Sequence, residues 1–132
     1  MIYLPDTNAL SKYFQGRDPS LRHQMGAAFE DLRLSSIVLA ELEYGASKSG
    51  VARHRQNVDQ LVAQLPLLVF NAEDAAIYGR LRAHLEKRGQ IIGPIDTLIA
   101  AQALRLGATV VTHNLAEFKR VPKLKVVDWQ AA

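Results

Sequence analysis

The stretch Met1-Ile2-Tyr3-Leu4-Pro5-Asp6-Thr7-Asn8 constrains this chain more than any other. Ile2 to Leu4 is a short apolar run, an acid follows it, and a helical pattern begins at Asn8. A buried strand that ends in an aspartate and turns into a helix puts that carboxylate at the strand's C-terminal edge, where open α/β sheets collect their ligands. Asp6 is therefore the expected first wall of an acidic pocket, with later segments supplying the others.

The rest of the chain repeats the alternation. Helical patterns run over Asn8 to Phe14, Ser20 to Leu32, Ile37 to about Ser47, Val51 to Leu65, Ala72 to Lys87 and Ile95 to Leu106, with a short turn over Leu115–Phe118. Ser36 is the expected cap of the third helix, and Gly89 sits where the fifth should end. Leu34-Ser35, Leu67–Phe70, Ala108–Val111 and Leu124–Val127 read as further strands. Short apolar strands between helices predict an α/β fold whose parallel sheet is covered on both faces. The long helical stretch between the second and third strands argues against strict alternation.

Residues 1–132 are expected to form a single domain. Without cysteine there is neither a disulfide framework nor a thiolate metal site. No apolar run approaches the ~20 residues needed to cross a bilayer, and the first residues lack the pattern of a secretory leader. A cytoplasmic protein with no membrane partner is the expectation. The net charge is +3. Residues 1–66 hold seven basic and seven acidic side chains and residues 67–132 hold nine and six, so the second half carries the excess. Such a balance suits a polyanionic partner but equally a solvated basic face.

Three further positions carry chemistry. Glu41 lies in the most apolar helix, on a face shared with Ile37, Val38, Tyr44 and Gly45. A carboxylate on a buried stripe is costly unless neutralised or coordinated, and the plainer reading puts it at the stripe's edge. Asp96 aligns with Ile99, Ala100 and Ala103, although an aspartate after Gly93-Pro94 also suits a helix cap. Thr112-His113-Asn114 ends a strand as Asp6 does, so Asn114 faces Asp6 if the two strands are neighbours; as an alternative it caps the turn that follows. Several bare carboxylates at one edge repel one another. A hard divalent cation, Mg²⁺ or Mn²⁺, removes that difficulty, because it prefers oxygen ligands and binds where phosphate completes its shell.

Four blocks occur in order: Asp6-Thr7-Asn8; Ser36 to Gly45; Gly93-Pro94-Ile95-Asp96-Thr97 running to Ala101; and Thr112-His113-Asn114-Leu115-Ala116-Glu117-Phe118. From Met1 to about Trp129 the chain resembles the PIN-domain ribonucleases, specifically the VapC toxins of toxin–antitoxin pairs. The resemblance implies a PIN-like fold with a five-stranded parallel sheet flanked by helices on both faces. It implies Mg²⁺- or Mn²⁺-dependent endoribonuclease activity, inhibition by a VapB antitoxin, and a homodimer. Asp6, Glu41 and Asp96 match the family's three acids and are the implied metal ligands; the fourth acidic position of the wider family falls at Asn114. The Gly93-Pro94-Ile95-Asp96 and Val127-Asp128-Trp129 wording resembles members that cut initiator tRNA in its anticodon stem-loop.

On this reading the reaction is metal-assisted phosphodiester hydrolysis, with Asn114 orienting a water and Thr7, Asn8 and Thr112 hydrogen-bonding the carboxylates. His113, by strand alternation, should point away from Asn114 as a surface residue, and His23, His54 and His84 need no special role. Lys12, Arg80, Arg82, Lys119 and Arg120 are candidates to grip an RNA backbone. An antitoxin arginine or lysine would enter the acidic pocket, its segment docking on apolar surface around Leu10, Phe14 and Tyr44. The rivals are a catalytically silent PIN-fold module that binds RNA or protein, and an aspartyl-phosphate phosphatase or receiver domain. The phosphatase wants a second aspartate where Asn8 stands, and the receiver wants an aspartate where Asn71 follows Phe70.

Overall fold

The computed structural model describes residues 1–131. Strand β1 (Tyr3–Pro5) runs directly into helix α1 (Thr7–Gln15), because Asp6 leaves the strand extended and its carboxylate accepts the Ala9 N–H at 2.8 Å. Helix α1 ends at Gly16, whose φ of 69° costs glycine little. Asp18 caps α2 (Pro19–Ala27), and a 3₁₀ turn at Phe29–Asp31 follows. The single helix expected over Ser20 to Leu32 is thus two pieces. Leu32 is extended so that it can bridge Tyr3, and the chain must leave the helix to reach that position.

Strand β2 (Leu34–Ser35) leads into α3 (Ser36–Ser49), then α4 (Ala52–Gln64), β3 (Leu67–Leu68), α5 (Ala72–Lys87), α6 (Pro94–Leu106), β4 (Thr109–Val111), α7 (Leu115–Phe118) and β5 (Lys125–Val127). Ser35, one residue before the expected cap, accepts the Ile37 N–H and starts α3. Ser36 instead accepts the Phe70 N–H at 3.0 Å, so the expected strand over Leu67–Phe70 is shortened to two residues. The last strand likewise starts at Lys125 rather than Leu124. Gly89, at φ 63°, lies two residues past the end of α5, just after the cap residue Arg88.

All strand pairs are parallel, but they do not make one five-stranded sheet. The main sheet has three strands in the order β1-β4-β5, and β2 pairs with β3 separately. A single bridge, Tyr3 to Leu32, joins the two. The reason lies in β1. Asp6 and Ile2 hydrogen-bond toward β4, while the Tyr3 carbonyl accepts the Arg33 N–H on the other side. Alternation places the next inter-strand donor on that side at residue 5, and Pro5 has no N–H to give.

Strand β4 is buried along its whole length, so both faces of the main sheet are covered there. Its core partners include Leu4, Ile99, Ala100 and Phe118. Helix α6 is held from two sides. Gln102, fully buried, accepts the Ser35 hydroxyl at 2.6 Å and donates to the Leu68 carbonyl at 2.9 Å, tying α6 to the β2–β3 pair. Arg105 pairs with the fully buried Asp74, tying α6 to α5. The end of the chain is fastened too: Trp129 packs on Tyr3 with ring centroids 4.9 Å apart, and Asp18 accepts the Ala131 N–H at 3.0 Å. No described helix is long and apolar enough to cross a membrane.

Candidate active site

The pairing of β1 with β4 sets the site. The Asp6 N–H donates to the Val111 carbonyl at 3.0 Å, so Asp6 and Thr112 leave neighbouring strands side by side at their C-terminal ends. The β2–β3 pair lies to one side of β1 and β4 to the other, which makes this the point where strand order reverses.

Asp6 is only 5% exposed. Burial pushes its carboxyl above the ordinary range, the Thr112 hydroxyl and the Ala9 N–H offset part of that, and the charges of Glu41 and Asp128 add to it. Asp96 stands in the first turn of α6. Gly93 and Pro94 take the cap and first helical positions, so Asp96 is not the helix cap that its surroundings also suited. Burial, then Glu117, then Asp6 and Glu41 raise its pKa to about 6. Glu41 is half-buried. The buried stripe of α3 is Val38, Leu42 and Ala46, four residues apart, so Glu41 lies at its edge while Tyr44 and Gly45 face outward. The Thr7 hydroxyl donates to Glu41 and holds it toward α1.

Two acids at this edge are absent from the sequence-derived set. Glu117, in the first turn of α7, accepts the Gly93 N–H at 2.8 Å and the Asn114 side-chain N–H, and it adjoins Asp96. A Cβ built on Gly93 would sit 3.8 Å from both the Asp96 and the Glu117 carboxylates, so these two acids flank the same glycine. Asp128 follows β5 and bears on Asp6. For Asp128 the signal was the one that singled out Asp6, an acid directly after an apolar strand; Glu117 stands six residues past Val111, inside α7, and carries no such mark.

The remaining sequence-derived residues fall as follows. Asn114 is exposed, and its side chain reaches Glu117 rather than capping α7, so its immediate partner is an acid. The Thr112 hydroxyl accepts the Asn114 N–H at 2.9 Å. That turn breaks the expected alternation, and His113 and Asn114 line one depression together. His113 is exposed, as expected of a surface residue. Asn8 makes no side-chain hydrogen bond to a carboxylate among the described residues; it borders the same depression. Of the basic candidates, Lys12 also borders it, whereas Arg82 bonds Tyr78 and Glu86 and Arg120 donates to the Ile91 carbonyl.

Among the described residues, Asp6, Glu41, Asp96 and Glu117 form no ion pair, although Glu43, Asp59, Asp74 and Glu86 elsewhere each have an arginine. An uncompensated group of acids, two of which (Asp6 and Asp96) are held above the ordinary carboxylate range, is a donor set suited to a hard divalent cation. No group of three acidic or histidine side chains among the described residues stands close enough to hold one ion directly. Mg²⁺ suits such spacing, since it keeps several waters and takes only one or two carboxylates at first hand.

A groove of about 450 Å³ runs between α1, α3 and α4, with Phe14, Leu42, Ala46 and Val58 as apolar lining and Thr7 and Glu41 on its wall. Leu10, expected on the surface, is buried, and Tyr44, though exposed, is not part of this groove.

The chain matches the model of the PIN domain over residues 3–124. It is 41% identical to Ribonuclease VapC2 of Rickettsia felis over 133 residues, with 98% of each chain covered. It is 34% identical to the tRNA(fMet)-specific endonuclease VapC of Salmonella typhimurium, covering 96% of this chain and 97% of that one. Its structure superposes on a chain of the Rickettsia felis VapBC2 complex, solved bound to a promoter DNA fragment, with a TM-score of 0.91 and 38% identity over 98% of this chain and 100% of that chain. Matched nearly end to end in sequence and in shape, the chain belongs to the PIN-domain family and, within it, to the VapC ribonucleases.

Proposed function

We propose that the protein is a divalent-metal-dependent endoribonuclease toxin that hydrolyses RNA phosphodiesters at the Asp6–Glu41–Asp96 edge and is silenced by a VapB-type antitoxin. One observation carries this reading: burial and the charges of Glu117, Asp6 and Glu41, from three other segments, push Asp96 up to about 6, and none of the four acids has a cationic partner among the described residues. A silent binding module has no use for so costly a cluster.

Asp6 and Asp96 would hold Mg²⁺ or Mn²⁺, with Glu41 and Glu117 bound to it through water. When bound, the ion supplies a lowered water pKa and offsets charge growing on the phosphate. The chain's own groups do the positioning. Thr7 fixes Glu41, Thr112 and the Ala9 N–H keep Asp6 available as a charged ligand, and Asn114 with the Gly93 N–H fixes Glu117. Water as nucleophile needs no RNA 2′-hydroxyl, and with the 3′-oxygen as leaving group the products would carry a 5′-phosphate and a 3′-hydroxyl. The name of the Salmonella typhimurium relative favours initiator tRNA as substrate.

The α1–α3–α4 groove would take the antitoxin segment, its apolar side on Phe14 and Val58 and an arginine directed at Glu41. Solved relatives are VapBC complexes, which supports this pairing. A homodimer is also expected, and light scattering at micromolar concentration measures it. The direct test of function maps cleavage sites on total RNA with added Mg²⁺, comparing wild type with Asp96→Asn. Metal-dependent cuts made by the wild type alone are expected; equal cutting by both proteins refutes the assignment.

A further inference from the structure

Helix α1 separates two depressions. Thr7, Ser11 and Phe14 face the apolar groove described above, whereas Asn8 and Lys12, one turn apart, face a second hollow of about 300 Å³. Asp6, His113, Asn114 and Gln130 complete its lining, so it opens beside the acidic edge and shares one carboxylate with it. Its other lining residues are of a different character: one lysine, three primary amides and an imidazole. Lys12 forms no ion pair among the described residues.

The hollow is also built with fixed walls. His113 Nδ1 lies 2.9 Å from Asp128 Oδ2; an ionised carboxylate only accepts, so Nδ1 carries the proton and the ring's orientation is set. The other Asp128 oxygen accepts the Gln130 N–H at 3.0 Å. On either side of Gln130, the Trp129 carbonyl accepts the Ser20 hydroxyl at 2.9 Å and the Ala131 N–H donates to Asp18. The tail is thereby held against the start of α2 with Gln130 at the hollow.

A cationic nitrogen and several amide donors around a small hollow suit a phosphate better than a base, which would ask for an aromatic face to stack on. We propose that this hollow is a subsite for a backbone phosphate flanking the scissile one, with Lys12 supplying the charge and Asn8, Asn114 and Gln130 the hydrogen-bond donors. The RNA strand then crosses the acidic edge with one phosphate at the cation and the next at Lys12. This rests on the nuclease reading and adds to it the direction in which the strand leaves the site.

The test couples one side chain to one phosphate. Wild type with Mg²⁺ first maps a cut in a structured RNA. The same RNA is then made with single uncharged methylphosphonate linkages on either side of the cut, and kcat/KM is measured for wild type, Lys12→Gln and Lys12→Arg. At one flanking linkage, loss of charge should slow wild type and Lys12→Arg about tenfold or more. Lys12→Gln, already slowed by a similar factor on unmodified RNA, should lose nothing further there. Thermal melting of each variant accompanies the rates, and Lys12→Arg shows that the position tolerates change. If Lys12→Gln cuts unmodified RNA at the wild-type rate, or every linkage costs both proteins the same factor, the subsite is overturned while the nuclease reading stands. A wild type that cuts no RNA with Mg²⁺ overturns both.

Discussion

Asp96 reports on the cost of the site. Its pKa is raised from 3.8 to about 6 in the folded chain, so between those values the folded state keeps a proton that the unfolded state releases. Stability falls with rising pH wherever the folded state binds more protons, and this group's unfavourable share is fully present above about 6. Without metal, Asp96→Asn should therefore melt at a higher temperature than wild type at pH 7.5, with the gap narrowing toward pH 4; a scan in chelator at several pH values measures it, and a constant gap refutes the cause assigned. Thr7 acts one bond further out. Thr7→Val frees Glu41, and loss of such a supporting hydrogen bond should weaken Mn²⁺ binding about 10–100-fold by calorimetry, with the fold unchanged.

Elements decide whether those residues meet. Asp96 stands at the start of a helix whose middle is fastened by Gln102 to Ser35 and Leu68. Gln102→Ala leaves a cavity and two unpartnered polar groups, which should cost about 2–4 kcal/mol in urea unfolding; a loss below 0.5 kcal/mol, on the order of a surface change, would refute the fastening. The same scale explains what was legible in the sequence. Asp6 and Thr112 could be read because strand ends announce themselves in apolar runs, and Asp96 because Gly93 and Pro94 mark the start of its helix. The single five-stranded sheet could not, because the split depends on which way the missing Pro5 N–H points, a matter of pairing rather than pattern. Glu41 was singled out as an unexpected acid, but its place at the edge of the α3 stripe depends on how α3 rotates against its neighbours. Asp128 obeyed the rule that marked Asp6, yet no helical pattern follows it, and Glu117 sits inside a four-residue helix too short to show a stripe. The turn at Thr112 is made by its own hydroxyl, and strand alternation has no means of anticipating it.

At the scale of the whole molecule, the acidic edge and the apolar groove share Glu41 and Thr7, so what binds one alters the other. A basic antitoxin segment and a divalent cation should compete. Linkage requires that the segment weaken Mn²⁺ binding by the same factor as Mn²⁺ weakens the segment's; two titrations in opposite order test this, and additive binding would separate the sites. The fold places the cost of uncompensated charge at one edge and spends the rest of the chain on holding that edge still, through α6, the α1 cap and the fastened tail. The most direct measurement is anomalous diffraction from a crystal of the protein soaked in Mn²⁺. A manganese peak is expected beside Asp6 and Asp96 at the acidic edge, lost in a crystal of Asp96→Asn; a wild-type crystal with no peak there, or with manganese bound only at other surfaces, would contradict the metal-site reading.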